Sequence, residues 1–166
     1  MNHPNTPIPF LSNRQDAPAY WLVDILWILH ASSQQTGGAY ALLEQYCPRN
    51  SGAPPHYHDQ DESFYLIAGE ITFQAGDEIL KAHDGFFVSI PRGTIHSFRV
   101  DSEVAQILNF YTPGGFEQTI IEMGQPALTR SMPPPGIDKP FSLEQIQPLL
   151  QRVGMYFVNS PDSLRL

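Results

Sequence analysis

The stretch His56-Tyr57-His58-Asp59-Gln60-Asp61-Glu62 carries two imidazoles two residues apart and a carboxylate soon after them. On a β-strand, residues two apart point to the same face with Cα atoms about 6.6 Å apart, so both imidazoles can reach one ion. On a helix the same spacing would place them on nearly opposite sides. The pattern therefore indicates a metal site only where the surrounding chain is β-structure.

Short apolar segments separated by turn residues surround this stretch. The 166 residues include 16 prolines and 12 glycines, well above the background of about 12% for the two types together. Turn signals at this close spacing favour an antiparallel sandwich or barrel over a helical bundle. Strands are predicted around Tyr57 and over 21–31, 39–47, 64–68, 70–74, 78–81, 85–90, 96–100 and 105–111, with a polar turn at 32–38 and a loop at 48–55.

The C-terminal third has a different pattern. A short helix is predicted over 116–124, a proline-rich linker over 126–140 and a longer helix over 142–152. Pro148 is expected to kink that longer helix, because its ring removes a backbone donor. Residues 155–159 are predicted as a short final strand.

A third imidazole, His96, lies 34 residues after Glu62 and follows Pro91-Arg92-Gly93, a turn that directs the next strand inward. Three imidazoles and one carboxylate leave room for about two more ligands on octahedral Fe(II), Mn(II), Ni(II) or Co(II), and they suit Zn(II) equally. An open position favours a catalytic over a structural role. The sequence thus predicts one divalent transition-metal ion (Fe, Mn, Ni, Co, Cu or Zn) held by His56, His58, Glu62 and His96.

Charge and cysteine content exclude several classes of protein. Nine basic against 17 acidic residues give a net charge of −8, which disfavours nucleic acid and anionic membranes as partners. The single cysteine, Cys47, excludes an internal disulfide framework. The apolar run Trp21–Leu29 is far shorter than the roughly 20 residues that cross a bilayer, and no signal peptide is recognised. We therefore expect a cytoplasmic protein that binds no membrane.

Two motifs resemble those of the cupin superfamily. The run Gly52–Gly69, with His-x-His-x3-Glu-x6-Gly, is similar to the first cupin motif, and Gly85-x5-Pro91-x-Gly93-x2-His96 is similar to the second. Asn50 stands where the family usually has the opening glycine, and we expect it to keep the turn because Asn tolerates left-handed backbone. The asparagine that often ends the second motif is Val100 here, and it is not a ligand.

This resemblance implies an all-β fold, a double-stranded β-helix (jelly roll) with a short C-terminal helical extension. We expect a single cupin domain over 1–166, with an N-terminal arm at 1–20, a barrel core at 21–115 and a helical extension at 116–166. Because pairing between subunits would cover exposed sheet edges, we also expect a homodimer.

A narrower resemblance, to small quercetin 2,3-dioxygenase-like cupins, rests on segments 36–38, 56–70, 112–117 and 154–157. It implies that the metal binds a flavonol and O₂ side by side and that O₂ cleaves the heterocycle with loss of carbon monoxide. Glu62 would be both a ligand and the base that accepts the proton of the flavonol 3-hydroxyl, help that is typically worth about 10²–10⁴-fold.

Such a reaction needs a dry pocket that protects the activated intermediate. The predicted substrate-binding walls are Phe64, Leu66, Phe87 and Phe98. Phe64 and Leu66 share the strand parity of Glu62, and Phe98 shares that of His96.

Two other functions remain open at the level of sequence. One is a different metal-dependent cupin enzyme, an isomerase or decarboxylase, in which the ion only polarises an oxygen. The other is a non-catalytic module that binds a small ligand. A sugar-nucleotide epimerase is disfavoured, since no basic cluster is present to hold a diphosphate.

Overall fold

The computed structural model describes residues 7–137 and 143–158. Its strands are β1 (Ala19–Leu22), β2 (Ile25–Ala31), β3 (Ala41–Pro48), β4 (His56–His58), β5 (Asp61–Ala68), β6 (Glu70–Ala75), β7 (Glu78–His83), β8 (Phe87–Ile90), β9 (His96–Val100), β10 (Val104–Thr112), β11 (Gln125–Pro126) and β12 (Met155–Phe157). Its helices are α1 (Ser33–Thr36), α2 (Glu117–Met123) and α3 (Leu143–Arg152). None of these described helices is long and apolar enough to cross a membrane.

The described strands form two antiparallel sheets. One has the order β11-β1-β2-β3-β10-β5-β8 and the other has the order β12-β4-β9-β6-β7. Leu66 and Ile107 from the first sheet and Phe73 and Val100 from the second are fully buried in one shared core. The expected all-β jelly roll is therefore confirmed.

The apolar segment predicted as one strand over 21–31 is instead a hairpin of β1 and β2. Leu22 lies opposite Ile25, and Val23 begins the two-residue turn between them with φ 56°. A β-branched residue is rare in that left-handed region, and no glycine or proline marks the turn. Side chains of both strands are buried, since alternate residues face the main core and a second apolar cluster on the other side of the sheet. The apolar run is therefore continuous without being one strand.

The segment predicted as a polar turn at 32–38 contains the one-turn helix α1. Ser32 and Gln35 form a reciprocal capping box, in which each side chain accepts from the backbone N–H of the other. Gly37 ends the helix in the left-handed conformation, with φ 64°. The local chemistry of the caps is thus enough to fold a single turn that periodicity does not reveal.

The loop before β4 has the backbone that the first motif requires. Asn50 has φ 67°, which confirms that it keeps the left-handed turn expected of the family's glycine. Gly52 serves another purpose, because a Cβ atom there would lie 1.8 Å from the backbone oxygen of Phe98. Only glycine lets this loop lie against β9, the strand that carries His96.

The C-terminal third, predicted as helices, a linker and one short strand, contributes two strands to the sheets. β11 pairs with β1, and β12 pairs with β4, where Tyr156 lies opposite Tyr57 with the rings stacked at 5.0 Å. The helix predicted over 142–152 is α3, with Pro148 inside it, although residue 142 lies outside the described residues. Of the final strand predicted over 155–159, residues 155–157 are observed as β12, and residue 159 lies outside the described residues. The sheets therefore extend beyond 21–115 at both ends, because β1 begins at Ala19 and β12 follows α3.

A buried carboxylate on the outer face of the larger sheet binds the N-terminal arm. Glu44 accepts hydrogen bonds from Arg14 (2.7 Å), from His30 Nε2 (2.9 Å) and from Gln106 (2.6 Å). Burial alone would raise the pKa of Glu44, but these donors outweigh it and lower the pKa to about 2. The ionised form of Glu44 therefore stabilises the folded state.

Replacing Glu44 with glutamine should remove a pH-dependent part of the stability. Because the pKa is lowered from 4.5 to about 2 on folding, we expect the wild type to exceed Glu44→Gln in free energy of unfolding above pH 4.5. That advantage should shrink as the pH falls towards 2, where the folded-state carboxylate also protonates. Urea denaturation of both proteins across this range measures it, and a difference that does not vary with pH would contradict the assignment.

The close approach at Gly52 can be tested against a glycine with free space around it. Gly76 has φ 58°, and a Cβ atom added there would have no neighbouring atom within 4 Å. Gly76→Ala should therefore cost only the strain of left-handed backbone, roughly 1–2 kcal/mol. Gly52→Ala must displace the backbone of β9, and we expect a loss of about 3 kcal/mol or more. Equal losses in urea denaturation would show that the loop does not need glycine there.

Candidate metal centre

Four buried side chains converge at one place between the two sheets. The ligand atoms of His56, His58, Glu62 and His96 all lie within 4.8 Å of one another. β4 supplies the first two, β5 the carboxylate and β9 the last, with His56 directly opposite His96 in the register. The structure thus brings together all the side chains that the two motifs predict as ligands.

Each imidazole is oriented by a backbone carbonyl two residues away. The Nδ1 atoms lie 2.8 Å from these oxygens, which belong to Pro54 for His56, to Gln60 for His58 and to Thr94 for His96. A carbonyl only accepts, so Nδ1 carries the proton and donates. In a neutral ring Nε2 is then left with a lone pair, the state in which histidine binds a metal.

The carboxylate completes a set of groups that fits a cation. Glu62 Oε2 lies 2.9 Å from Nε2 of both His58 and His96. With Nδ1 already protonated, neutral rings would present two lone pairs to a carboxylate oxygen in a buried site. Either extra protons or a cation must separate these acceptors. The donor set, three imidazole nitrogens and one carboxylate, is one that divalent transition metals accept.

The electrostatic environment favours the ligand states of His56 and Glu62, whereas for His58 the bond to Glu62 outweighs burial and raises the pKa of the ring. Burial and the neighbouring His96 lower the pKa of His56 to about 4, so this ring is neutral at pH 7. Burial would raise the pKa of Glu62, but when extra protons on Nε2 of His58 and His96 bond to the carboxylate, they outweigh burial and hold this pKa well below its usual range. A neutral imidazole and an ionised carboxylate are the forms that bind metal.

Aromatic rings restrict the ligands further. Tyr111 packs edge-on to His58, with ring centroids 5.7 Å apart, and stacks on Phe116 at 4.2 Å. Burial and the negative charge of Glu62 raise the pKa of Tyr111 well above its usual value, so its hydroxyl stays protonated. Aromatic rings therefore pack against the candidate metal ligands.

A cavity of about 440 Å³ opens beside this cluster. His56 and Glu62 form part of its wall, and most of the remaining lining is apolar. The other walls come from the β1–β2 hairpin, from α2, and from α3 with β12; they include Leu22, Ile25, Ile120, Met123, Ile146, Leu150, Met155 and Phe157. No lysine or arginine is found among the described residues that line it.

The predicted substrate-binding residues are placed differently from one another. Phe98 lines the cavity, whereas Phe64 and Leu66 are buried in the core away from it. Phe87 is 63% exposed on the edge strand β8, where Val88 and Ile90 point inward instead. Strand parity identifies the inward face for Phe64 and Leu66 but not the depth along the barrel, and these two side chains do not reach the cavity. Phe87 does not reach it because its side chain lies on the outward face.

Sequence reasoning missed Asn109, which donates to Glu62 Oε1 at 2.9 Å. A signal was present, because the inward positions of β10 are apolar at Ala105 and Ile107 and then change to Asn109. It also missed the cavity walls from the hairpin, α2 and α3, whose approach depends on tertiary packing.

Comparison of the sequence with known proteins also identifies cupins as similar. A family model described as a cupin domain matches residues 43–111. Quercetin 2,3-dioxygenase of Bacillus subtilis is 25% identical over 124 residues, covering 74% of this chain and 37% of that protein. The enzyme of the same name from Aspergillus japonicus is 26% identical over 107 residues, covering 60% and 31% respectively. The chain thus spans about a third of the length of these curated relatives.

A solved structure shows the same fold at low sequence identity. KdgF from Halomonas sp. superimposes with a TM-score of 0.60 at 13% identity, covering 67% of this chain and 99% of that one. The two-sheet fold, the paired motifs and the family model matched over residues 43–111 thus support a cupin domain in this chain, which resembles the quercetin 2,3-dioxygenase-like cupins.

Proposed function

We propose that this protein is a metal-dependent dioxygenase that cleaves a flavonol or a similar aromatic enol with O₂. The observation that carries the proposal is the apolar cavity that has His56 and Glu62 in its wall. The similarity to quercetin 2,3-dioxygenases adds support. When bound by His56, His58, Glu62 and His96, a divalent transition metal supplies Lewis acidity and redox chemistry towards O₂.

Within this proposal Glu62 has two tasks. Its Oε2 faces the imidazoles, and the residue also borders the cavity as an ionised carboxylate. We assign it as the acceptor of the proton of the substrate's enol hydroxyl, since it is the acidic side chain that joins the ligand cluster to the cavity.

The cavity walls favour an uncharged aromatic substrate. Trp27, Phe98 and Phe116 line the space, so a planar ring can pack against aromatic faces while water is excluded. An isomerase or decarboxylase for a small anionic acid would gain from a cationic side chain beside the substrate. The described lining provides no lysine or arginine for this purpose, which favours the dioxygenase over that alternative.

The first test is metal content. We expect the purified protein to hold one divalent transition-metal ion. Changes to residues outside the ligand set typically weaken metal binding by about 10- to 100-fold, and we expect His96→Ala to weaken it by more than that. His83 is exposed on β7, outside the cluster, so His83→Ala is the matched control. Elemental analysis after exposure to a mild chelator measures both. Equal retention by His96→Ala and the wild type would rule out the assigned ligand set.

The second test is turnover of a flavonol. We expect quercetin to be consumed with uptake of O₂, and Glu62→Gln to slow the reaction by about 10²–10⁴-fold because the proton acceptor is lost. The metal content of the variant must be measured alongside, so that lost chemistry is separated from lost metal. Product formed at the same rate without O₂ would indicate the isomerase or decarboxylase alternative. Tight binding of flavonols with no product would indicate a ligand-binding module.

A further inference from the structure

A row of buried polar side chains crosses the inner face of the larger sheet and ends at Glu62. Gln45 on β3 donates from Nε2 to Asn109 Oδ1 at 2.7 Å, and Asn109 Nδ2 donates to Glu62 Oε1 at 2.9 Å. All three residues are at least 97% buried. Their strands β3, β10 and β5 are adjacent in the sheet.

The direction of this hydrogen-bond row is determined at its Glu62 end. A carboxylate only accepts, so Asn109 must present its NH₂ group to Glu62 and its carbonyl oxygen to the opposite side. That oxygen in turn requires a donor, and Gln45 supplies one. The orientation of the Asn109 amide therefore depends on a residue that does not itself bond to Glu62.

We propose that Asn109, oriented by Gln45, is the positioning residue that fixes the plane of the Glu62 carboxylate, so that one oxygen faces His58 and His96 while the other is bonded to Asn109. The bond to Oε1 stops the carboxylate from rotating about its terminal torsion, while Oε2 stays 2.9 Å from Nε2 of His58 and of His96. The inference rests on the metal-binding part of the proposed function and does not depend on the substrate.

The pattern of burial explains why these amides act on Glu62 and not merely on the fold. Ile107 and Tyr111 flank Asn109 on the inward face of β10 and are both buried. An amide at this position weakens the apolar core unless its hydrogen bonds are satisfied. Its NH₂ group is satisfied by a predicted metal ligand, with a longer contact to the backbone oxygen of Ser63 at 3.4 Å.

The test compares Asn109→Leu and Asn109→Asp with the wild type. Leu fills a similar volume in this apolar surrounding and removes the donor without adding a charge, so a purely structural role would be largely preserved by Leu and a positioning role would not. Asp loses the donor only in its ionised form. We expect both variants to bind Co(II) about 10- to 100-fold more weakly, the usual effect of losing an outer-shell partner. We also expect the visible absorption spectrum of the Co(II)-loaded protein to change. Chelator competition and absorption spectroscopy measure these effects without substrate.

Gln45 provides a second variant that tests the row itself. In Gln45→Glu the new carboxylate attracts the NH₂ group of Asn109, which turns Oδ1 towards Glu62 and sets two oxygens against each other. We therefore expect Gln45→Glu to weaken Co(II) binding more than Gln45→Leu does, although residue 45 does not bond to Glu62. Equal effects of the two substitutions would overturn the role of Gln45.

Gln106→Leu is the matched control, because Gln106 is also an amide on β10 that donates to a buried glutamate, Glu44, on the outer face. It should leave Co(II) affinity and spectrum unchanged, and circular dichroism of each metal-free variant checks that the protein is folded. Wild-type affinity and spectrum in Asn109→Leu would overturn the inference alone. A wild type that binds no Co(II) overturns the inference and the metal-binding proposal together. If the wild type binds Co(II) and substitution of Asn109 weakens that binding as expected, the inference is supported. If the same wild type does not consume O₂ with quercetin, the proposed dioxygenase activity is contradicted.

Discussion

The arrangement of the barrel interior depends on one carboxylate oxygen, Glu62 Oε2, which lies 2.9 Å from two imidazole nitrogens. Groups that all carry lone pairs do not stay together in a buried site unless a positive charge separates them. The surroundings maintain this arrangement on every side. Three carbonyls orient the rings through Nδ1, and the amide of Asn109 restrains the other carboxylate oxygen. The barrel itself thus holds the ligand atoms in the positions that an ion requires.

The ligand residues were predictable because local patterns specify them. His56 and His58 share a face by strand parity, and the turn that precedes His96 is marked by proline and glycine. Asn109 was not predictable as a partner of Glu62, since their contact depends on the register of β10 against β5, where Tyr111 lies opposite Glu62. Asn109 and Glu62 are 47 positions apart in the sequence, so the register that joins them is set by tertiary packing and is encoded by no local motif.

The cavity was less predictable than the ligands for two physical reasons. Parity separates inward from outward side chains, but Phe64 and Phe98 share the inward face while only Phe98 reaches the cavity. The second reason is the hairpin at Val23, whose left-handed backbone in a β-branched residue is not signalled by a glycine or proline. The hairpin places Leu22 and Ile25 in the cavity wall, so missing the turn also meant missing that wall.

The candidate metal ligands and much of the cavity wall therefore lie in different parts of the chain. The matched cupin region, 43–111, contains all four clustered residues together with Gln45 and Asn109. Much of the cavity wall lies outside it, in the β1–β2 hairpin, α2, α3 and β12. β12 links the two parts, because it pairs with β4 beside His56 and His58 while Met155 and Phe157 line the cavity. Substitutions in these flanking elements can therefore reshape the cavity while the four clustered side chains stay in place.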